Sequence, residues 1–522
     1  MSVPMLSPGS MTLAQKIGQM FAVSLHGLSL EPETARMLEE FRFGSVYLYN
    51  LNYVNPDYMR HFCRDLQAAI RENTGAEPLL SGTYEGGEVL RFGLYNVSIP
   101  SARAVGRMGD PADAYLAGRV LGAQLADLGL NFNWAPILDL PNAQNAFSIC
   151  QRSLSDDSER IASVGQALIR GMHTSGIGCA AKHFPGMGAC STLYQRGHFV
   201  AIRGKSSFQP EHIRPFQAAI AAGADAIVVG NYLQNIRGGS YFTGDYQDVC
   251  RYLREELGYD GVIATDAIQS LDDVPALSAE SIVRNAIRAD VDLLVFGYDT
   301  RRQLQLYEQI YRMVEDGQIS EERLDQSVVR ILTMKRRMAA LRAGATPMTW
   351  QRQTRSLHVL GRKALRLYGN SAVIPRLRQE VQKRVQVYMP FYRQEDFVGF
   401  RRALNCCLGD VLCRYSGQVA CHYYSGGGAE DLPPLPESGA VFVVCESWEP
   451  DSPLAGWVRS AAARGPTACL LLFPSETEHF AGEPVTAVSL DSLSDASIVE
   501  AVHLLLEEEL PNLQKDMQTA SY

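Results

Sequence analysis

The sequence predicts an α/β protein, with a TIM-like (β/α)8 barrel over residues 1–345 and a smaller α/β sandwich domain over 346–522. From about residue 10 to 340, short apolar runs bounded by Gly, Pro or Asp alternate with amphipathic stretches, as in buried parallel strands joined by helices. Polar residues also follow several of these runs directly. A doubly wound sheet is the alternative architecture for this pattern.

The predicted elements follow in chain order. The apolar runs of the first domain are each short enough for one buried strand, at 44–49, 79–82, 132–138, 176–181, 224–229, 261–265 and 291–296. Helical patterns lie between them, for example at 112–128 and 280–289, and a helix over 325–341 precedes a linker at 342–347. The second domain has apolar runs at 385–388, 440–445 and 468–473, and a final helix over 497–510.

Length, net charge and composition exclude several classes of protein and of binding partner. A chain of 522 residues exceeds the roughly 250–300 residues of a single core, so at least two domains are expected. The net charge of −9 argues against binding to nucleic acids or anionic membranes, and no window of 18 apolar residues predicts a transmembrane helix. The N-terminus lacks signal-peptide features, and the 11 scattered cysteines suggest reduced thiols, so we expect a cytoplasmic protein. The oligomeric state is left open.

Candidate chemistry lies where predicted strands end. Glu85 precedes two glycines after one strand, Lys182 and His183 end another, and Asn231 and Asp266 follow two more. In a barrel, the carboxyl ends of the strands form the active-site face, so we expect these residues to meet there.

Several of these segments resemble one enzyme family. The run Lys-His-Phe-Pro-Gly-x-Gly at 182–188 resembles a loop of family 3 glycoside hydrolases, in their β-N-acetylglucosaminidase branch. Further resemblance to that family's barrel lies at 15–21, 129–139, 151–154 and 257–266, and to its second domain at 357–375 and 440–510.

The resemblance implies a sugar site at the barrel mouth. Asp266 would be the nucleophile that attacks the anomeric carbon. The residues that would contact a small sugar or glycoside ligand are Glu85, Arg91, Arg152, Lys182, His183 and Asn231. No cofactor or metal site is expected. From the residues alone, a helix N-cap is the favoured interpretation of Asp266, and an ion pair with Asp156 or Asp157 is an equal alternative for Arg152.

The chain departs from the family pattern where proton transfer is expected. Leu193 and Gln195 occupy the positions of the family's Asp and His acid/base dyad, and neither side chain exchanges a proton near neutral pH. Met187 replaces a His, Asn231 replaces another, and Thr83-Tyr84 stands where the family has Asp-Gln. The pocket is therefore altered on at least three strands.

Two nearby residues are candidates to replace the lost group. His198 follows Gln195 by three positions and could supply an acid/base, and Cys190 could act as an alternative nucleophile if its pKa were lowered. A loop histidine and an inert thiol are the structural alternatives.

Three functional hypotheses follow. The first is a weak or specialised glycosidase or transglycosidase that acts on an activated or unusual glycoside through Asp266. The second is a catalytically inactive sugar-binding pseudoenzyme, and the third is a barrel repurposed as a group transferase.

Overall fold

The structure is a computed structural model that describes most of the chain. It describes residues 7–87, 89–90, 99–141, 152–187, 190–195, 198–203, 208–230, 233–236, 240–243, 246–268, 278–297, 299–390, 407–424, 432–445, 448–472, 480, 482–490 and 495–507. At 90, 190–195, 198–203, 233–236, 240–243, 407 and 495 it describes the backbone alone. Two compact units result, one from residues up to Thr349 and one from Trp350 onward with parts of 86–108. The domain boundary at 345/346 stays a prediction.

The strands, in chain order, are β1 Phe21–Ser24, β2 Ser45–Tyr47, β3 Leu79–Gly82, β4 Tyr84–Gly86, β5 Val89–Leu90, β6 Phe132–Asn133, β7 Gly178–Phe184, β8 Cys190–Gln195, β9 His198–Arg203, β10 Ala226–Val229, β11 Leu233–Ile236, β12 Ser240–Thr243, β13 Val262–Thr265, β14 Leu294–Val295, β15 Arg366–Gly369, β16 Val385–Pro390, β17 Val419–Tyr424, β18 Ala440–Cys445, β19 Thr467–Leu471 and β20 Thr486–Ser489.

The α-helices are α1 Leu13–Gln19, α2 Pro32–Phe41, α3 Pro56–Thr74, α4 Ala102–Met108, α5 Pro111–Asp127, α6 Ser158–Thr174, α7 Pro210–Ala221, α8 Tyr246–Arg251, α9 Ala279–Arg288, α10 Thr300–Glu315, α11 Glu321–Ala343, α12 Trp350–Ala364, α13 Val373–Val381, α14 Cys407–Leu412, α15 Pro453–Ala462 and α16 Asp495–Leu506. Short 3-10 turns cover Pro8–Ser10 and Asn50–Asn52, and a π-helical turn covers Tyr252–Glu256.

Eight parallel strands form the barrel predicted from the sequence, in the order β13-β10-β7-β6-β3-β2-β1-β14. A parallel bridge between Ala264 and Leu293 joins the two end strands, so the sheet is nearly closed. The barrel is confirmed over the doubly wound alternative. The first strand was missed by the sequence analysis because its four residues follow α1 after a single residue, Met20, and carry no turn signal.

A second, four-stranded sheet belongs to the same unit and contains positions 193 and 195. Its order is β12-β11-β9-β8, with β8 and β9 antiparallel. Gln195 pairs with His198 and Leu193 pairs with Val200 across this hairpin. The segment that departs from the family pattern is therefore a β-ladder in this protein.

The second unit is a six-stranded sheet with a hydrophobic core on each face. Its order is β15-β20-β19-β18-β16-β17, parallel except for the edge strand β15. Val387, Phe442 and Leu470 belong to one core, and Val443 and Cys469 belong to the other. Alternate side chains of these strands thus face opposite layers, as in a sheet covered on both sides.

No helix within the described ranges is long and apolar enough to cross a membrane.

A buried lysine lies in the barrel unit. The Nζ atom of Lys335 on α11 donates to Gln19 Oε1 at 2.8 Å and to the carbonyl oxygen of Gly44 at 2.7 Å. Burial lowers the pKa of Lys335 to about 7, against the opposing charge of Glu77. The native state therefore releases this proton at a lower pH than the unfolded chain does.

We expect Lys335→Met to flatten the pH dependence of stability. Because the folded-state pKa lies below the unfolded value of about 10.4, the unfolded chain binds more protons between the two, and wild-type stability rises with pH there by at most about 1.4 kcal/mol per unit. The thermal unfolding midpoint of the wild type should therefore rise steadily relative to that of Lys335→Met between about pH 7 and 9.5. Lys383→Met, at an exposed lysine paired with Glu380, is the control and should track the wild type. Equal pH slopes for Lys335→Met and wild type would contradict the assignment.

Candidate active site

Polar side chains gather at the carboxyl end of the barrel. Glu85 lies just beyond β3, Asp139 follows β6, Lys182 and His183 lie near the end of β7, and Asp266 follows β13. Because these strands are parallel, their carboxyl ends open on one face of the barrel. The expectation that Glu85, Lys182, His183 and Asp266 follow strand ends on one face agrees with this topology.

A buried carboxylate binds two cations at this face. Arg152 donates from Nε and Nη2 to the two oxygens of Glu85, each at 2.9 Å, and Lys182 Nζ lies 2.7 Å from Glu85 Oε1. The side chains of Glu85 and Lys182 are 3% and 7% exposed, whereas Arg152 is 30% exposed. The bidentate geometry fixes the plane of the guanidinium and leaves one edge of the cluster open to solvent.

Charge balance inside this cluster sets its protonation. Burial would raise the pKa of Glu85, but the charges of Arg152 and Lys182 outweigh it and hold that pKa well below its usual range. Burial lowers the pKa of Lys182, and Glu85 and Asp266 partly offset this. Burial also opposes the charge of Arg152, but Glu85, Asp139 and Asp266 together raise its pKa. In both cases the negative charge of Asp266 makes the smallest of these contributions.

Arg152 has a partner that was not predicted from the sequence. It pairs with Glu85, which is 67 residues away in the chain. Asp157 is the N-cap of α6, where its carboxylate accepts from the backbone N–H groups of Glu159 and Arg160. The turn at 152–157 thus places Arg152 toward the barrel mouth and uses Asp157 to begin a helix.

Asp139 holds the segment that contains His183. One of its oxygens lies 2.7 Å from His183 Nδ1, and the other accepts from the backbone N–H groups of His183 and Met187, at 3.2 and 2.8 Å. Asp139 is fully buried, and its own carbonyl oxygen accepts from Ser153 Oγ at 2.7 Å. The carboxylate orients the imidazole so that Nε2 is directed away from Asp139. The peptide bonds Lys182–His183 and Phe184–Pro185 are cis.

Asp266 is half-buried beside β10. Its backbone N–H donates to the carbonyl oxygen of Val229 at 3.0 Å, and its Oδ1 accepts from the N–H of Ala267 at 2.8 Å. The second contact is to the next residue along the chain, whereas the side chain of a helix N-cap accepts from the N–H two or three residues on, and neither Ala267 nor Ile268 is helical. Its charge reaches Arg152 and Lys182, so it belongs to the same face.

The Thr83-Tyr84 departure has two separate consequences. Thr83 Oγ1 is 2.6 Å from Tyr47 Oη at the end of β2, so a neutral hydroxyl pair occupies this part of the mouth. Tyr84 is fully buried and donates its hydroxyl to Gln124 on α5 at 3.0 Å. Tyr84 is thus a packing residue between barrel and helix, and Thr83 alone changes the character of the site.

Sequence reasoning missed two residues of this site. Asp139 closes the segment 129–139, whose polar last residue after a buried strand was the signal that could have identified it. Tyr246 on α8 is buried, and burial together with the charges of Cys250 and Asp266 raises its pKa, which keeps it a neutral hydroxyl near Asp266. No local pattern marks Tyr246, because its relation to Asp266 arises only from the fold.

Four candidate residues cannot be placed at the level of side chains. Arg91 and Asn231 lie outside the described residues. Cys190 and His198 lie in β8 and β9, where only the backbone is described, as do Leu193 and Gln195. Their roles stay predictions from the sequence.

Comparison with known proteins agrees with this architecture. The family model of the glycosyl hydrolase family 3 N-terminal domain matches residues 12–334, more than half of the chain. A beta-hexosaminidase from Stenotrophomonas maltophilia (strain K279a) is 30% identical over 261 residues, which are 48% of this chain and 74% of that protein.

Solved structures extend the similarity to the whole fold. A family 3 beta-N-acetylglucosaminidase from Paenibacillus sp. superposes with a TM-score of 0.78 at 24% identity, covering 96% of this chain and 98% of that one. A beta-N-acetylhexosaminidase from Beutenbergia cavernae has a TM-score of 0.56 at 26% identity, covering 62% of this chain and 99% of that one. The resemblance inferred from the sequence is therefore confirmed, and the chain belongs to glycosyl hydrolase family 3, with its relatives in the beta-hexosaminidase branch.

Proposed function

We propose that the protein is a specialised glycosidase or transglycosidase that uses Asp266 as its nucleophile and acts on an activated or unusual glycoside. The observation that carries this proposal is the charge cluster at the barrel mouth. Glu85 holds Arg152 and Lys182 in place, and Asp266 acts electrostatically on both cations. Glu85 and Lys182 are buried and Arg152 is 30% exposed, and because burying charge is costly, the retention of this cluster beside Asp266 supports a working site.

The geometry supports sugar binding next to the nucleophile. Lys182 and Arg152 present N–H donors on the mouth side of the barrel, and Asp139 orients the ring of His183. Hydroxyl groups of a sugar ring accept hydrogen bonds from such donors, which would hold the anomeric carbon in reach of Asp266. The neutral Tyr47–Thr83 pair supplies no carboxylate at the position where the family has Asp, so the preferred sugar differs there from that of typical members.

The two half-reactions depend differently on the missing dyad. In the first, Asp266 forms a bond to the anomeric carbon while the leaving group departs with the electron pair of the glycosidic bond. A leaving group that is stable as an anion needs no proton, so this step survives. In the second, water must lose a proton as it attacks, and without a base this step slows by about 10²–10⁴. The glycosyl-enzyme should therefore accumulate.

We expect a burst of aryl release with an aryl β-N-acetylglucosaminide that carries an activated leaving group. One equivalent of phenol should appear rapidly, followed by slow turnover, and intact-mass analysis should show one added sugar, located by peptide mapping on Asp266. Asp266→Asn should abolish both signals. Asp316→Asn, at the C-terminal end of α10, is the matched control and should leave them unchanged. Absence of burst and adduct in a folded wild type that binds this glycoside would refute the nucleophile assignment.

Azide should accelerate the steady-state turnover of the same aryl glycoside. This anion attacks the glycosyl-enzyme without losing a proton, so it bypasses the step that needs a base. The expected product is a β-glycosyl azide, and the rate should rise by at least about tenfold, measured by phenol release after the burst. If azide changes neither rate nor product, the second half-reaction is not limited by a missing base.

Glu85→Gln should weaken both the site and the fold. It leaves two cations beside each other without their shared carboxylate, and breaking such a buried pair costs about 3–5 kcal/mol. The thermal midpoint should fall, and adduct formation should slow by at least about 100-fold. Glu159→Gln, which removes an exposed partner of Arg214, is the matched control and should cost less than about 1 kcal/mol. Wild-type behaviour of Glu85→Gln would exclude this cluster from the function.

A sugar-binding pseudoenzyme is the second candidate, and one observation favours it. Asp266 Oδ1 already accepts from the N–H of Ala267, a contact that a purely structural Asp would also make. Under this alternative, N-acetylglucosamine binds without any adduct, and Asp266→Asn leaves its affinity unchanged. The repurposed group transferase gains support only if neither the sugar nor the aryl glycoside binds.

A further inference from the structure

Three metal-ligating side chains converge at the amino-terminal end of the barrel, away from the mouth. His173 lies in the last turn of α6, Cys179 is the second residue of β7, and Asp225 directly precedes β10. Their ligating atoms all lie within 4.8 Å of one another. No metal site was predicted from the sequence, because 46 residues separate Cys179 from Asp225 and no short spacing joins them.

We propose that His173, Cys179 and Asp225 bind one divalent transition metal ion of the zinc class. This site lies outside the proposed sugar site and does not depend on the proposed function.

The distances suit a small ion with mixed ligands. Zinc binds sulfur at about 2.3 Å and nitrogen at about 2.0 Å, so tetrahedral neighbours lie about 3.5 Å apart. Cys179 Sγ is 3.6 Å from His173 Nε2, which matches this spacing. His173 Nε2 is 2.8 Å from Asp225 Oδ2, a hydrogen-bonding distance that would open by about half an ångström on metal binding. Thiolate, imidazole and carboxylate together favour zinc-like ions over magnesium or calcium.

Hydrogen bonds to the backbone already hold Cys179 and Asp225 next to each other. Asp225 Oδ2 accepts from the backbone N–H of Cys179 at 3.0 Å, and the backbone N–H of Asp225 donates to the carbonyl oxygen of Cys179 at 2.9 Å. Among described groups, Asp225 Oδ1 accepts no hydrogen bond and has only Arg337 Nε, at 3.5 Å, as an ionic neighbour. The buried carboxylate therefore keeps lone pairs that the fold does not use.

Charge neutrality explains why a metal would be accepted here. Asp225 and Cys179 are fully buried, and the side chain of His173 is 12% exposed, so the cluster reaches the surface only at His173. A metal displaces the thiol proton to solvent, and the thiolate and carboxylate then offset the two positive charges of the ion, while the half-exposed Arg337 remains a further positive charge 3.5 Å from Asp225 Oδ1. His173 binds through the Nε2 lone pair, with its ring proton on Nδ1.

Cobalt(II) titration of the untagged, chelator-treated full-length chain tests the proposal. We expect one equivalent to bind, with a thiolate-to-cobalt charge-transfer band in the near ultraviolet, and zinc to displace it. Because one proton is released, affinity should rise about tenfold per pH unit. Cys179→Ser should remove the band and weaken binding by more than about 100-fold. Cys63→Ser, at another buried cysteine of the barrel unit, is the control and should retain the band.

A second ligand variant, His173→Gln, keeps the proposal testable if Cys179→Ser misfolds, because the Gln amide can keep the hydrogen bond to Asp225. This variant should also lose the high-affinity binding while its circular dichroism stays native. Absence of a charge-transfer band in the wild type, or its persistence in both ligand variants, would overturn the proposal. Formation of the Asp266 adduct is measured separately, so failure of either proposal leaves the other standing.

Discussion

The ion cluster around Glu85 is the interaction on which the barrel mouth depends. It joins the end of β3, the turn at 152 and the end of β7 through one carboxylate, and all three side chains lose most of their contact with water. Such a cluster is stable only when every charge has a partner, since the desolvation of each ion opposes folding. The orientation of Arg152 and Lys182, and therefore any binding at this face, follows from Glu85.

A second carboxylate, Asp139, holds the backbone of residues 183–187 in place, as Glu85 holds Arg152 and Lys182. It binds the N–H groups at both ends of the segment 183–187 and the ring of His183, so the segment has one conformation at the mouth. The positions of the family's acid/base dyad, Leu193 and Gln195, lie further along the chain in the hairpin β8–β9. The part of the site that would hold a sugar and the part that would move a proton thus belong to different elements. This separation explains how substitutions in one can leave the other intact.

Much of the barrel could be predicted from the sequence because its strands are short, apolar and bounded by turn residues. Leu79–Gly82 was predicted with its observed bounds, and Asp266 was placed at a strand end. Features that depend on long-range pairing could not be predicted, because no local pattern encodes them. Arg152 reaches Glu85 across 67 residues, and the buried Lys335 finds its acceptors 291 and 316 residues away. The Thr83-Tyr84 pair was predicted to alter the pocket, but the side chain of Tyr84 is buried and donates to Gln124, so Tyr84 is a packing residue.

The anomeric configuration of the first product tests the central claim, that Asp266 carries out a double displacement. Proton NMR during turnover of an activated aryl β-glycoside, with methanol as acceptor, would follow the anomeric signal as the product forms. Two successive inversions, first by the carboxylate and then by the acceptor, predict a methyl β-glycoside with retained configuration. An α-configured first product would show direct displacement without Asp266 as nucleophile and would contradict the account.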